Sequence, residues 1–590
     1  MTVLTLGLAG CESSTYKNHL NSMVDILETQ DAEKIYAASD EGTQKTYSKE
    51  DIKNRLDSFY NTLAVKKVDY KHLRKDSKAS KGDLIAYRAK VVLTTSSGDI
   101  EKETTLVFKK HGDDVKIHWQ PESVFPQLTM KNDVKIDVKS GKRGTIFARN
   151  GEILAKDDAN GIRQYPYGEM TSAAVGYVRA ATGAEIDSGS VNDVSIGTQV
   201  GRAGLEKAYQ DKLRAKSGIK VTLSDHPKDI VFESQSEDGQ DITTTIDMKV
   251  QQRAYEVVSG EFSAVAAVEP STGQVLAMVD GLSYDPERWL DNSMTVEEYN
   301  DMVAANRQPD NGIFADRFTP GSTQKLLTTL IGLQAGTLTT DTTYPIYGED
   351  WAPPGGWGSY KVHRVVPING YIGLKQALIY SDNIFFARVG LDMGYDKFNN
   401  GMKKLGIGEK VPGAYPIQKS QITEKGGIDD GHETGLADSS YGQYQVQVSP
   451  LQQTLIYASL QNGGKIMKPC YLLEESPEVW IDGVATQAHI DFINNALRQS
   501  ILISHPYADR SFGAFSGKTG TAEVGPNGSI NLGWFVGSDL NNPTCTMCVM
   551  VNHVENRGGS DVNAAYFGRI MDGVYADGAY KASVPANKNA

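Results

Sequence analysis

Ser322 and Lys325 stand three positions apart at the head of an apolar stretch that runs Ser-Thr-Gln-Lys-Leu-Leu-Thr-Thr-Leu-Ile-Gly-Leu-Gln-Ala to Gly336. Residues three apart are neighbours on one face of a helix. Pro320 and Gly321 break whatever precedes this stretch, and Gly336 is suited to end it. Leu326, Leu327, Leu330, Ile331 and Leu333 cover most of the circumference, so the spacing predicts a buried helix. A serine in its first turn has the positive end of the helix dipole behind it. A lysine in apolar surroundings resists protonation, because burial disfavours the charged form. A hydroxyl beside such an amine is a nucleophile beside a base. Alone, the pair is a weak signal, and a capped helix with a solvated lysine is the commoner meaning.

Two further motifs change that balance. Ser381-Asp382-Asn383 and then Lys518-Thr519-Gly520 complete, in order, the Ser-x-x-Lys, Ser-Asp-Asn and Lys-Thr-Gly set of penicillin-interacting serine enzymes. With all three motifs present, the chain resembles the class B penicillin-binding proteins, the monofunctional peptidoglycan D,D-transpeptidases. The likeness is strongest to the low-affinity, β-lactam-resistance subgroup, and it extends along almost the whole chain. It implies a substrate, the D-alanyl-D-alanine end of a peptidoglycan stem peptide, and β-lactams as covalent inhibitors. It also implies roles. Ser322 attacks, Lys325 takes its proton, and Ser381 relays that proton to the leaving amine. Asn383 holds Lys325 and the substrate amide. Lys518 and the Thr519 hydroxyl receive the terminal carboxylate, and Gly520 lets the strand approach the substrate closely. The backbone amides of Ser322 and Thr521 form the oxyanion hole. No cofactor and no metal is implied. A D-Ala-D-Ala carboxypeptidase side activity is compatible with the same acyl-enzyme.

Rival readings fit less well. A class A β-lactamase shares the motifs but is one small domain with a deacylating glutamate. A β-lactam sensor needs a membrane signalling region. A non-catalytic scaffold would tolerate loss of Ser322 or Lys325, and both are present. No glycosyltransferase motif is visible, so a separate polymerase is the implied partner.

A chain of 590 residues is several domains by length, with the 39% hydrophobic and 23% charged content of ordinary globular protein. A net charge of −13 argues against a nucleic-acid partner. The four cysteines are Cys11, Cys470, Cys545 and Cys548. The last two fall in a strand-like run from Thr544 to Val551, where positions three apart face opposite sides, so they read as structural rather than metal-binding. The first ten residues are apolar and too short to span a bilayer. Leu8-Ala9-Gly10-Cys11 resembles a lipoprotein cleavage box, although the usual positive leader is missing. The expected location is the extracytoplasmic face of a bacterial membrane, anchored by lipidated Cys11 or by an upstream segment.

The elements that must position these residues follow in order. Residues 1–15 read as an anchor remnant. Residues 16–130 read as an NTF2-like α+β domain: a helix from Tyr16 to Ala38, a second helix opened by the capping box at Ser48 and Asp51, then strands from Leu84, Thr104 and Val115. The basic run from Lys66 to Lys81 reads as a solvated face, with a site for a polyanionic wall polymer as the sharper alternative. Residues 131–240 resemble a shortened class B pedestal, or dimerisation, domain. Its motifs begin at Arg143, Arg163 and Gly201, and its arginines and glutamates are expected to pair. Ala148 stands where the family usually has an aspartate, which puts one buried ion pair in question. Residues 241–580 read as the transpeptidase domain, an antiparallel sheet flanked by helices with the site at its edge, and 581–590 as a tail. The fold class is thus multidomain α+β.

Overall fold

The computed structural model describes residues 13–95, 98–139, 141–188, 198–290, 295–304 and 312–583. The expectations placed on Cys11 and on the end of the tail lie outside them. The chain forms two compact units. One runs to Lys142 and takes back Ala215–Gly239; the other holds Arg143–Arg214 and the chain from Gln240 onward.

The first unit packs helices on a four-stranded antiparallel meander formed by Val65–Lys81, Leu84–Thr95, Gly98–His111 and Asp114–Ile117. The Ser48–Asp51 capping box is present at the head of Lys49–Thr62. The single helix expected from Tyr16 to Ala38 is instead two, Ser14–Glu28 and Ala32–Ala37. Between them Gln30 takes φ 58°, and the Asp31 carboxylate caps the second helix by accepting from the amides of Glu33 and Lys34 at 3.0 and 3.2 Å. The basic run is the first strand: Val68, Tyr70 and Leu73 face the core while most of its lysines face solvent. Val134–Lys139 pairs with Gly218–Leu223, which pairs with His226–Glu233, and Val221 and Leu223 join the core of this first unit. The stretch 131–240 is therefore divided between the two units.

In the second unit, Arg143 and Arg163 each donate from Nε to one oxygen of Glu206, both at 2.7 Å, and Arg163 also reaches Asp157 at 3.2 Å. Arg149, next to the buried Ala148, is itself buried, with Nε and Nη1 lacking a partner among the described residues.

The second unit is built on a five-stranded antiparallel sheet. Its spatial order is Val275–Asp280, Ser263–Val268, Thr546–Val551, Ile530–Asp539 and Phe515–Val524. Three of these strands are buried at every position, because the sheet is covered on both faces. Ala264, Ala266 and Cys548 pack with helices Gln324–Gln334 and Pro450–Ala458. Val265, Ala267 and Cys545 pack with Met248–Val258 and Asp561–Val574. The two cysteines thus lie on opposite faces, as their spacing predicts. The strand carrying Lys518-Thr519-Gly520 is an edge strand. No helix among the described residues is long and apolar enough to cross a membrane.

Candidate active site

The site assembles where that edge strand meets the head of the buried helix. Gly321–Thr323 is a single 3₁₀ turn that runs into Gln324–Gln334. Gly321 sits at φ 54°, and a Cβ there would lie 2.7 Å from the Thr521 carbonyl, so only glycine fits. Gly520 is held as closely from the other side: a Cβ on it would meet the Pro320 carbonyl oxygen at 2.7 Å and the Thr323 nitrogen at 2.9 Å. The turn is pinned by buried donors. Trp534 Nε1 donates to the Thr319 carbonyl at 2.9 Å, Thr323 to that of Pro320 at 2.7 Å, and Tyr457 to that of Thr323 at 2.8 Å. Ser322 is thereby fixed at the mouth of the turn, half-buried.

Lys325 is fully buried, and its Nζ is the hub of the site. It lies 2.8 Å from Ser322 Oγ, 3.0 Å from Ser381 Oγ, 2.7 Å from the Ser381 carbonyl oxygen and 2.6 Å from Asn383 Oδ1. Burial, and then the nearby Lys518 charge, push its ammonium well below the usual lysine range. Lys518 is also fully buried; it donates to Ser381 Oγ at 2.9 Å and to the Thr519 carbonyl at 3.0 Å. Burial lowers it to about 7.

The Ser-Asp-Asn triplet lies where helix Leu374–Ile379 gives way to helix Asn383–Met393, with Asn383 the first residue of the second. Ser381 takes the left-handed conformation at φ 56°, which is uncommon outside glycine and marks a position held by its surroundings. That backbone turns both its carbonyl and its hydroxyl to Lys325. Asp382 caps the second helix by accepting from the Phe385 amide at 3.0 Å, and it accepts from the buried Arg364 at 2.8 Å. Asn383 Nδ2 donates to the His363 carbonyl at 2.7 Å, which fixes its Oδ1 toward Lys325.

Ser322, Lys325, Ser381, Asn383 and Lys518 are therefore joined in one hydrogen-bonded cluster, and Thr519, Gly520 and Thr521 line the strand beside it. Three participants have no signature in the sequence. Arg364 holds the triplet from a separate loop. His505 Nε2 lies 2.9 Å from the Thr519 hydroxyl, and its Nδ1 lies 2.8 Å from Asp561.

With this geometry in view, the comparisons agree among themselves. The model of the penicillin binding protein transpeptidase domain matches residues 263–572. The penicillin-binding protein dimerisation domain matches 158–244, and the NTF2-like N-terminal transpeptidase domain matches 17–132. Penicillin-binding protein 3 of Bacillus subtilis is 30% identical over 94% of this chain and 96% of its own length. Peptidoglycan D,D-transpeptidase PbpA of Mycolicibacterium smegmatis is 27% identical over 71% of this chain and 85% of its own. The crystal structure of Pseudomonas aeruginosa PBP2 in complex with WCK 5153 superposes with a TM-score of 0.64, covers 77% of this chain and all of its own, and shares the fold at 23% identity. The chain belongs to the class B penicillin-binding proteins.

Proposed function

We propose that the protein is a serine-type peptidoglycan D,D-transpeptidase acting at the extracytoplasmic face of the membrane, beside a separate glycan polymerase. The observation that carries this reading is the buried Lys325 amine within hydrogen-bond reach of Ser322, Ser381 and Asn383, with a second buried lysine behind it.

A neutral Lys325 has one lone pair and two N–H groups. The lone pair accepts the Ser322 O–H, and the two N–H groups serve Asn383 Oδ1 and the Ser381 carbonyl. Ser322 Oγ attacks the carbonyl of the penultimate D-alanine and passes its proton to Lys325. The backbone amides of Ser322 and Thr521 hold the oxyanion; one such donor is worth about 10²–10³ in rate. Lys325 then protonates Ser381 Oγ, which gives its own proton to the departing nitrogen as the C–N bond breaks. D-Alanine leaves and a Ser322 ester remains. The amine of a second stem peptide attacks that ester and releases the serine. Lys518 and Thr519 receive the terminal carboxylate of the donor. Water in place of the amine would give the carboxypeptidase side reaction.

A β-lactam follows the same first step, but its leaving nitrogen stays tethered and the ester persists. Asp382, the carboxylate of the site's own motif, is already engaged by Arg364, which favours a long-lived ester over hydrolysis. Acylation by β-lactams is slow in this reading, because the edge strand packs its backbone directly on the Gly321–Thr323 turn and must shift to admit the drug. Intact mass spectrometry after penicillin treatment tests the proposal. A slow, stoichiometric adduct that maps to Ser322 and is lost in Ser322→Ala supports it. An adduct elsewhere, or free enzyme regenerated within seconds, overturns it.

A further inference from the structure

A second chain of polar groups reaches the cleft without touching Lys325. Asp561 opens helix Asp561–Val574, His505 follows the end of helix Gln487–Ser504, and Thr519 lies on the edge strand. Asp561 Oδ1 lies 2.8 Å from His505 Nδ1, and His505 Nε2 lies 2.9 Å from Thr519 Oγ1. The imidazole is 17% exposed. Three other charges on the elements around this corner are directed elsewhere. Lys518 is turned to Ser381, Arg510 is closed on Asp572, and Arg498 on Asp509.

Counting donors decides what this chain does. A carboxylate only accepts, so Nδ1 must carry the proton that faces Asp561. If the ring is neutral, Nε2 is then an acceptor. The one hydroxyl proton of Thr519 would point at His505, and the cleft would see only oxygen lone pairs. A substrate carboxylate placed there would meet lone pairs with lone pairs. If the ring is an imidazolium, Nε2–H donates to Thr519 Oγ1, and the hydroxyl proton is free to donate into the cleft. Asp561 is placed to pair with that cation.

We propose that His505, held by Asp561, is a positioning residue of the carboxylate site: as an imidazolium it turns the Thr519 hydroxyl into a donor aimed at the substrate's terminal carboxylate. The inference rests on the assignment of Lys518 and Thr519 to that carboxylate. It adds to the reaction a selectivity element from outside the three motifs.

The test compares acylation of the full-length protein by a penicillin and by the methyl ester of the same penicillin. Lys518→Ala and Thr519→Ala come first. A loss confined to the free acid supports the carboxylate site; equal losses on acid and ester remove that site and this inference with it. If the site stands, His505→Leu is expected to slow the acid about tenfold or more, the effect of one hydrogen bond to a charged group, and to leave the ester unchanged. His505→Gln, which offers a neutral N–H donor, is expected to recover most of the loss. Asp561→Asn is expected to slow the acid selectively as well. In a Thr519→Ala background the His505 substitutions should have no further effect. Equal losses on both substrates, or no loss in His505→Leu while Lys518→Ala retains its selective defect, would overturn the proposal. Should His505→Leu fail to fold, Asp561→Asn decides alone: selective slowing of the acid supports the role, and anything else rejects it.

Discussion

Two pairs of buried basic side chains lie in the same compact unit and are treated in opposite ways. Arg143 and Arg163 share the two oxygens of a fully buried Glu206, and Arg163 adds Asp157. Burial alone would raise the Glu206 carboxyl, but the two guanidiniums outweigh it and hold it below its ordinary value. Lys325 and Lys518 are equally buried, yet their hydrogen bonds go only to hydroxyl, amide and carbonyl oxygens. Asp382, the acid built into the site's own motif, is engaged by Arg364. Unpaired buried charge of this kind is relieved by losing the proton, and both lysines are shifted downward. The residue types match the outcome. A guanidinium keeps its proton under any such pressure and suits a permanent clamp; an ammonium can release it and become a base.

Exchanging the two treatments breaks the comparison most severely. Lys325→Arg puts a cation that cannot discharge beside Ser322. Acylation by penicillin is expected to fall by about 10²–10⁴, the usual worth of a positioned base. Lys325→Met, of similar length and uncharged, should lose as much, which separates lost basicity from added bulk. Quenched-flow mass spectrometry of the adduct gives both rates. If either variant keeps a tenth of the native rate, the base lies elsewhere.

Glu206→Gln breaks the other pair. Two guanidiniums are left without their shared counter-ion, and removing one partner of a buried ion pair costs about 3–5 kcal/mol. Thermal and denaturant unfolding should show that loss. The rate of acylation per folded molecule should stay native, because the clamp touches none of the reacting groups. A protein of native stability would mean that solvent reaches the pair.

Lys518 sharpens the contrast through pH. Its ammonium is the acid form, so the charge is present below about 7 and is lost as pH rises through that value. The second-order rate of acylation by a carboxylate-bearing β-lactam, which reports the free enzyme, should therefore fall above about 7. Loss of the cation removes one charge-assisted contact, and about a tenfold decline is expected. The methyl ester should show no such limb. The limb should also survive in His505→Gln, which removes the imidazole from that corner. A flat profile for the free acid would place the carboxylate away from Lys518.

The lysine site was legible in the sequence to the degree that its chemistry is local. Ser322 and Lys325 share one helical face and Ser381 and Asn383 share one turn, so each pair is visible as a short motif, although only the three motifs in order singled them out. Gly520 was legible as part of the third motif, but for an approach to the substrate; the neighbours that leave it no room for a Cβ are Pro320 and Thr323. His505, Asp561 and Arg364 were not, because a helix end, a helix start and a loop meet there only through tertiary closure. The fold shows the same division. The Ser48 capping box needs four residues and was visible. The strand Val65–Lys81 was hidden, because His72 at φ 57° and a register shift between Lys71 and Arg74 move the buried positions from Val68 and Tyr70 to Leu73. That bulge destroys the two-residue alternation by which a strand is recognised.

The smallest effect is expected where the comparison says nothing should change. Both buried clusters are closed entirely by residues of the second unit: Arg143, Asp157, Arg163 and Glu206 for one, and residues from Ser322 to Lys518 for the other. Removing the first unit should disturb neither, provided the cut follows the real boundary. A cut at residue 131 would not, since it leaves Val134–Lys139 paired with Gly218–Leu223 and strips Val221 and Leu223 of their core. The right excision starts at Arg143 and replaces Ala215–Gly239 with a short Gly/Ser linker. The ends to be joined are already close, because the Gln240 amide donates to the Lys212 carbonyl at 2.8 Å. This excised unit should be acylated by penicillin within about twofold of the full-length rate, the tolerance expected between independent sites. Circular dichroism and thermal unfolding would establish that it is folded before the rate is measured. A tenfold or greater loss in a well-folded sample would mean that the first unit shapes the site, and the account of two self-contained clusters would have to be given up.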